Sequence, residues 1–146
     1  MVELGNRWDS YNSWFCHTNK EADLKNIAIT WRAARYFRKH WGNENGVGFN
    51  RAKIFYEMTV SQATQNYSDL YNLLQTGDVI QYGKSENYGL PYHTQAVYKK
   101  GYNYGLGIND VFIAQHTKNL KGASLYEYLA KQPNKEINKI YVYIIA

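Results

Sequence analysis

The 146 residues hold a single cysteine, Cys16. No internal disulfide can form, which excludes a disulfide-stapled scaffold. No stretch approaches the ~20 consecutive apolar residues that a membrane-spanning helix requires, so no membrane span is expected. The N-terminal MVELGNRWDS has no apolar central segment and does not read as a signal peptide. Internal repeats, low-complexity tracts and linkers are missing as well. The net charge is +5, yet it is dispersed, and no run of five basic residues occurs. Such a balance favours acidic partners, whether nucleic acid, anionic membrane or the acidic polymers of a cell wall. No RNP-like, KH or zinc-knuckle pattern accompanies the charge, so a nucleic-acid partner is not expected.

What the chain has in quantity is tyrosine, 15 residues of it. Tyrosine suits half-buried strands and wet grooves, because an apolar ring carries a polar tip. The length suits one domain with a real core, and the elements read as α+β. Residues 1–29 carry Trp8, Tyr11, Trp14 and Phe15 with no clean period. Thr30 is placed to cap a helix running to about His40, with Trp31, Ala34, Phe37 and Trp41 on one stripe. A Gly/Asn loop follows over 41–50, and 53–60 has the composition of a strand. Ser68 is placed to cap a short helix, Asp69–Gln75, that Gly77 stops.

Residues 77–119 organise the rest. They read as three strands, 78–82, 93–99 and 110–116, joined by glycine- and tyrosine-rich loops. Ser124 and Glu127 have capping-box spacing for a helix that ends before Pro133. In 137–146, Ile140, Val142 and Ile144 alternate with Tyr141, Tyr143 and Ile145. Both faces are apolar, as in a central or covered strand.

Four histidines occur, His17, His40, His93 and His116. His93 opens the second predicted strand and His116 closes the third. Antiparallel pairing sets them at one edge of the sheet, as a base with its orienting partner or as half a metal site. Zinc needs more ligands, and no Cys-x-x-Cys, His-x-x-x-His or nearby carboxylate cluster offers them. No metal or other cofactor is therefore expected.

The series GDVIQY, a strand opening HTQAV, then FIAQHTKN, a capped helix and a terminal strand resembles a bacterial putative amidase domain. That family is similar to the CHAP and NlpC/P60 cysteine hydrolases of the papain-like class. TWRAARYF also resembles the family's tryptophan-rich segment, so the likeness spans roughly residues 6–146. The resemblance implies a papain-like antiparallel sheet with covering helices. It also implies that His93 takes the proton of a cysteine thiol, the thiolate being the nucleophile. An orienting residue is implied on the following strand, His116 or Gln115. These two point to opposite faces, so only one can serve. His116 is preferred, because Phe112 and Ala114 would share its face. Asp78 would match a structural turn residue.

The family's nucleophile stands in an Asp-Cys-x-Asn-Phe motif at a helix start, and no such motif occurs in this sequence. Cys16, in SWFCHT, lacks the following Asn-Phe and is read as a structural or incidental cysteine. The expectation is a domain that begins just after its nucleophile helix. The resemblance implies a cell-wall (peptidoglycan) amidase or endopeptidase, secreted or wall-associated, whose missing helix leaves apolar surface for self-association or a partner chain. The competing reading is a non-catalytic wall-binding module on the same fold.

Overall fold

The computed structural model describes residues 34–42, 51–115 and 120–145. The chain divides into two compact units, 1–53 and 54–146. In the first, α1 (Ala34–Trp41) is the described helix. Arg38, Lys39 and His40 fill its last turn, where positive charge favours the negative end of the helix dipole. Phe37 and Trp41, one turn apart, place their ring centroids 6.1 Å from each other, as the expected apolar stripe requires. Cys16, His17 and the Thr30 cap lie outside the described residues.

The second unit is a six-stranded antiparallel sheet with helices, which bears out the α+β reading. Its elements are β1 (Ile54–Thr59), α2 (Val60–Gln65), α3 (Tyr67–Leu73), β2 (Val79–Gly83), β3 (Pro91–Asn103), β4 (Ile108–Gln115), β5 (Leu120–Ser124), α4 (Leu125–Ala130) and β6 (Lys139–Ile144). Spatial order is β1-β6-β2-β3-β4-β5, and every neighbouring pair is antiparallel. The terminal strand β6 thus lies between β1 and β2. Ile140 to Ile144 are buried on both faces, as the two-sided apolar pattern predicts.

One face packs Ile80, Tyr82, Val97, Val111, Ile113, Ile140 and Val142 against Val60, Leu70, Leu125 and Leu129 of the helices. Each fully buried aliphatic side chain there contributes roughly 1.5–3 kcal/mol. On the other face Tyr143 Oη donates to Gln81 Oε1 at 2.6 Å, and Gln81 Nε2 donates to Thr94 Oγ1 at 2.9 Å.

Local chemistry moved several boundaries. Residues 60–65 form a helix because Thr59 and Gln62 make a reciprocal capping box. The next helix starts at Tyr67 with Asn66 as N-cap residue, so Ser68 is inside it rather than capping it. It ends at Leu73, before Gly77 is reached. Gly77, at φ 96°, instead makes the turn into β2, where Asp78 accepts the Gln75 N–H at 2.8 Å and the Ile145 N–H at 3.0 Å. Asp78 is therefore the structural turn residue that the family pattern implies. At α4 the Ser124 hydroxyl accepts the Glu127 N–H at 3.1 Å, and its own proton goes to Asp110.

β5 has no counterpart in the sequence reading. It pairs with β4 through a bulge between Ile113 and Ala114, and Gly122 at φ 81° supplies the left-handed residue such a bulge accepts.

Candidate active site

Tyr82 of β2 stands opposite His93 of β3, and Ile80 opposite Gln95. Side chains alternate along a strand, so His93, Gln95 and Val97 share the helix-covered face. Val97 is in turn opposite Ile113 of β4, which puts Gln115, two residues on, on that face too. The sheet therefore gathers Tyr82, His93, Gln95 and Gln115 from three adjacent strands.

These four side chains are linked in series. His93 Nε2 lies 2.6 Å from Gln115 Oε1. Gln95 Nε2 donates to the same oxygen at 2.9 Å, and Tyr82 Oη donates to Gln95 Oε1 at 2.6 Å. An oxygen facing a ring nitrogen requires that nitrogen to carry the proton. With the Gln115 oxygen on that side, the contact is a hydrogen bond in the Nε2–H form, which leaves a lone pair on Nδ1. An imidazole held by one nitrogen with the other basic is the arrangement a general base needs.

Three phenols surround the imidazole: Tyr82 at 5.8 Å between ring centroids, Tyr128 of α4 at 6.0 Å and Tyr92 at 6.3 Å. Burial raises the Tyr82 pKa well above 10.0, and the neighbouring Tyr128 and Tyr92 phenols add to it. Burial likewise raises Tyr92 and Tyr128; a hydrogen bond involving Gln132 partly offsets the rise in Tyr128. All three rings stay neutral across the working range of a histidine base.

The 84–90 loop leads from β2 back to this end of β3. A Cβ on Gly83 would strike the Gly89 carbonyl, so glycine is what lets the loop fold back. Tyr141 Oη donates to that same carbonyl. Tyr88 sits in the left-handed region at φ 59° and is 95% exposed. The Lys84 ammonium lies 5.0 Å from the Tyr92 ring.

The family model of the putative amidase domain matches residues 2–144. The chain belongs to that family. No curated protein and no solved structure matches it.

In this amidase domain the structure brings His93 and Gln115 into contact. His116 and Cys16 lie outside the described residues. The contact to the imidazole is made by Gln115, where the sequence argument preferred His116. Gln115 reaches the ring through the register, which sets Phe112 and Ala114, opposite Lys99 and Ala96, on the face away from His93. Gln95, Tyr82, Tyr92 and Tyr128 were not foreseen. The signal for Gln95 was present, because a polar residue two positions after a strand histidine shares its face. Tyr128 comes from a helix, and no sequence spacing relates it to His93. Among the described residues no three His, Cys, Asp or Glu side chains gather as metal ligands.

A second polar cluster occupies the start of β4. Asp110, fully buried, accepts from Tyr67 Oη, Ser124 Oγ, Asn103 Nδ2 and the Val111 and Tyr126 N–H groups. Burial, then the hydrogen bond to Asp110, raises the Tyr67 pKa far above the ordinary phenol value. A cleft of ≈ 510 Å³ between β1 and α2–α3, lined by Tyr56, Met58, Gln62, Leu70 and Leu73 among others, shares no residue with the His93 cluster.

Proposed function

We propose that the domain is the histidine-bearing part of a cysteine amidase or endopeptidase of the CHAP and NlpC/P60 kind, acting on amide bonds of cell-wall peptide. The observation that supports this is the 2.6 Å contact from His93 Nε2 to Gln115 Oε1, which leaves Nδ1 as a base. In this chemistry Nδ1 takes the proton of a thiol, and the thiolate attacks the amide carbonyl carbon. The C–N bond then breaks as the imidazolium returns its proton to the leaving amine. Water, deprotonated by the same nitrogen, hydrolyses the resulting thioester and regenerates the thiol. Gln115 orients the ring throughout without itself attacking.

The thiol is assigned to the family's Asp-Cys-x-Asn-Phe motif, which these 146 residues do not contain, rather than to Cys16. The positive net charge suits an acidic wall polymer, and the site of action proposed is secreted or wall-associated. Apolar surface left for a nucleophile helix would be covered by self-association or a partner chain.

The test supplies the motif-bearing segment, fused or as a second fragment, and measures release of soluble material from purified peptidoglycan. Activity is expected in the restored protein, abolished by His93→Ala and nearly intact in Cys16→Ala. Wall digestion by the 146-residue chain alone that disappears with Cys16→Ala would overturn the assignment of the nucleophile.

A second reading, a non-catalytic wall-binding module, is favoured by tyrosines presented to solvent: Tyr88, Tyr104 and Tyr102 are 95%, 90% and 50% exposed. It predicts co-sedimentation with insoluble peptidoglycan that Tyr88→Ala weakens and His93→Ala leaves unchanged, with no hydrolysis in the restored protein.

A further inference from the structure

Two carboxamides in series between a phenol and an imidazole can be strung in either direction. In one, Gln95 turns its nitrogen to Gln115 and its oxygen to Tyr82, and Gln115 offers its oxygen to both Gln95 and His93. Rotating both amides by 180° gives the other, in which Gln115 offers N–H to His93 and Gln95 offers N–H to the Tyr82 oxygen. The amide–amide contact survives in both. The consequences at His93 are opposite. An oxygen on Nε2 holds the proton there and leaves Nδ1 basic, whereas an N–H on Nε2 drives the proton to Nδ1 and removes the base.

The phenol end favours one of the two. Tyr82 and Gln95 are each 1% exposed, so neither amide nor phenol can turn to bulk water for a partner. With the observed direction, Tyr82 Oη donates to Gln95 Oε1 at 2.6 Å. With the reversed one, the phenol proton faces an N–H and loses its acceptor. An unmet buried donor shifts an equilibrium by roughly ten- to a hundredfold.

We propose that Tyr82, acting through Gln95, sets the direction of this relay and so fixes His93 as the Nε2–H tautomer with a basic Nδ1. Tyr82 and Gln95 are positioning residues: neither reaches a substrate, and each acts by deciding which atom of its neighbour faces the imidazole. The raised Tyr82 pKa is consistent with this, since a protonated phenol is the donor the relay needs. The consequence for turnover rests on the reading of His93 as a base, but the tautomer itself does not.

The experiment is long-range ¹H–¹⁵N correlation on the 146-residue chain with ¹⁵N-histidine, at about pH 8, well above the ordinary imidazole pKa of ~6.5. His93→Gln identifies the His93 signals. The unaltered chain should show one protonated Nε2 and one unprotonated Nδ1. Tyr82→Phe removes one oxygen from a ring of the same shape, and the proton should then divide between the two nitrogens, a change of at least about fivefold in their ratio. Gln95→Glu should go further, because a carboxylate accepts from both Tyr82 and Gln115 and turns the Gln115 amide around, giving mainly Nδ1–H. A Tyr82→Phe chain that keeps native dispersion and stays Nε2–H overturns the proposal. If Tyr82→Phe does not fold, Gln95→Glu decides on the same readout. Tautomer shifts in a protein that never hydrolyses amides, even with the motif-bearing segment restored, would leave this relay standing while removing the proposed function.

Discussion

β4 carries a buried polar cluster at each end, and they are built on opposite plans. At its start, Asp110 is a carboxylate that takes hydrogen bonds from two hydroxyls, one amide side chain and two backbone N–H groups. At its end, Gln115 belongs to a chain of one phenol and two carboxamides that finishes in an imidazole. Burying a charge is tolerable only when its acceptor sites are filled, and Asp110 joins α3, the β3–β4 turn, β5 and the α4 N-terminus in filling them. Every donor there is committed. The uncharged phenol and carboxamides cost less to bury, and the imidazole at their end has a second ring nitrogen to offer. Saturation suits a cluster that holds the fold, and an imidazole with a second ring nitrogen suits the base role proposed for His93.

The widest separation between the two clusters is expected from His93→Ala. On the proposed reading, with the motif-bearing segment supplied, turnover should fall by at least about 10⁴-fold, ~5.5 kcal/mol of barrier, while urea unfolding shifts by less than ~1 kcal/mol. A comparable loss of stability would make the two clusters alike and break the comparison.

Asp110→Ala should do the reverse. Several buried donors lose their acceptor at once, and unfolding free energy should drop by about 3–5 kcal/mol. A drop below ~1 kcal/mol in urea melts would show that water or neighbouring groups replace the carboxylate, and that saturation is not what holds this end.

Alkaline pH sharpens the contrast, because each cluster contains one buried phenol. Tyr67 and Tyr82 are both raised above 10.0, so the folded state keeps protons that the unfolded chain releases. Their contribution is complete below pH ~10 and is lost as pH rises toward the folded-state values. Stability should fall there by about 1.4 kcal/mol per pH unit for each phenol. Tyr67→Phe and Tyr82→Phe should each remove one such increment from the slope, to which Tyr92 and Tyr128, also raised, contribute as well. A slope unchanged in either variant would show that its phenol is not the group titrating.

The smallest effect is expected in the 84–90 loop. Tyr88 is nearly fully exposed and left-handed, so it contributes little packing and carries the cost of that conformation. Tyr88→Gly should raise stability by about 0.5–1 kcal/mol in thermal melts. Destabilisation would show that the ring holds the 84–90 loop in place.

Much of this was legible in the chain. Alternation and turn residues marked β2, β3, β4 and the two-faced β6, and the resemblance pointed to His93 with a polar residue closing the next strand. The choice between Gln115 and His116 was not legible, and one bulge shows why. Val97 pairs with Ile113 and Lys99 with Phe112, so Tyr98 is an extra residue on β3. Before it His93, Gln95 and Val97 face the helices. After it Lys100 faces them, opposite Val111, with its ammonium 4.4 Å from the Tyr71 ring. Period-two counting along β3 fails at that point, and nothing in YKK announces it. Face assignments carried from β3 to β4 by counting alone therefore have no fixed sign.

The sequence by itself determined which residues could sit on strands, because side-chain alternation and turn chemistry are local, and it determined that one imidazole would stand at the start of β3. Only the tertiary structure decided what that imidazole touches. The Tyr82–Gln95–Gln115 chain joins residues on three strands through their register, and register is a property of paired strands that no single strand encodes.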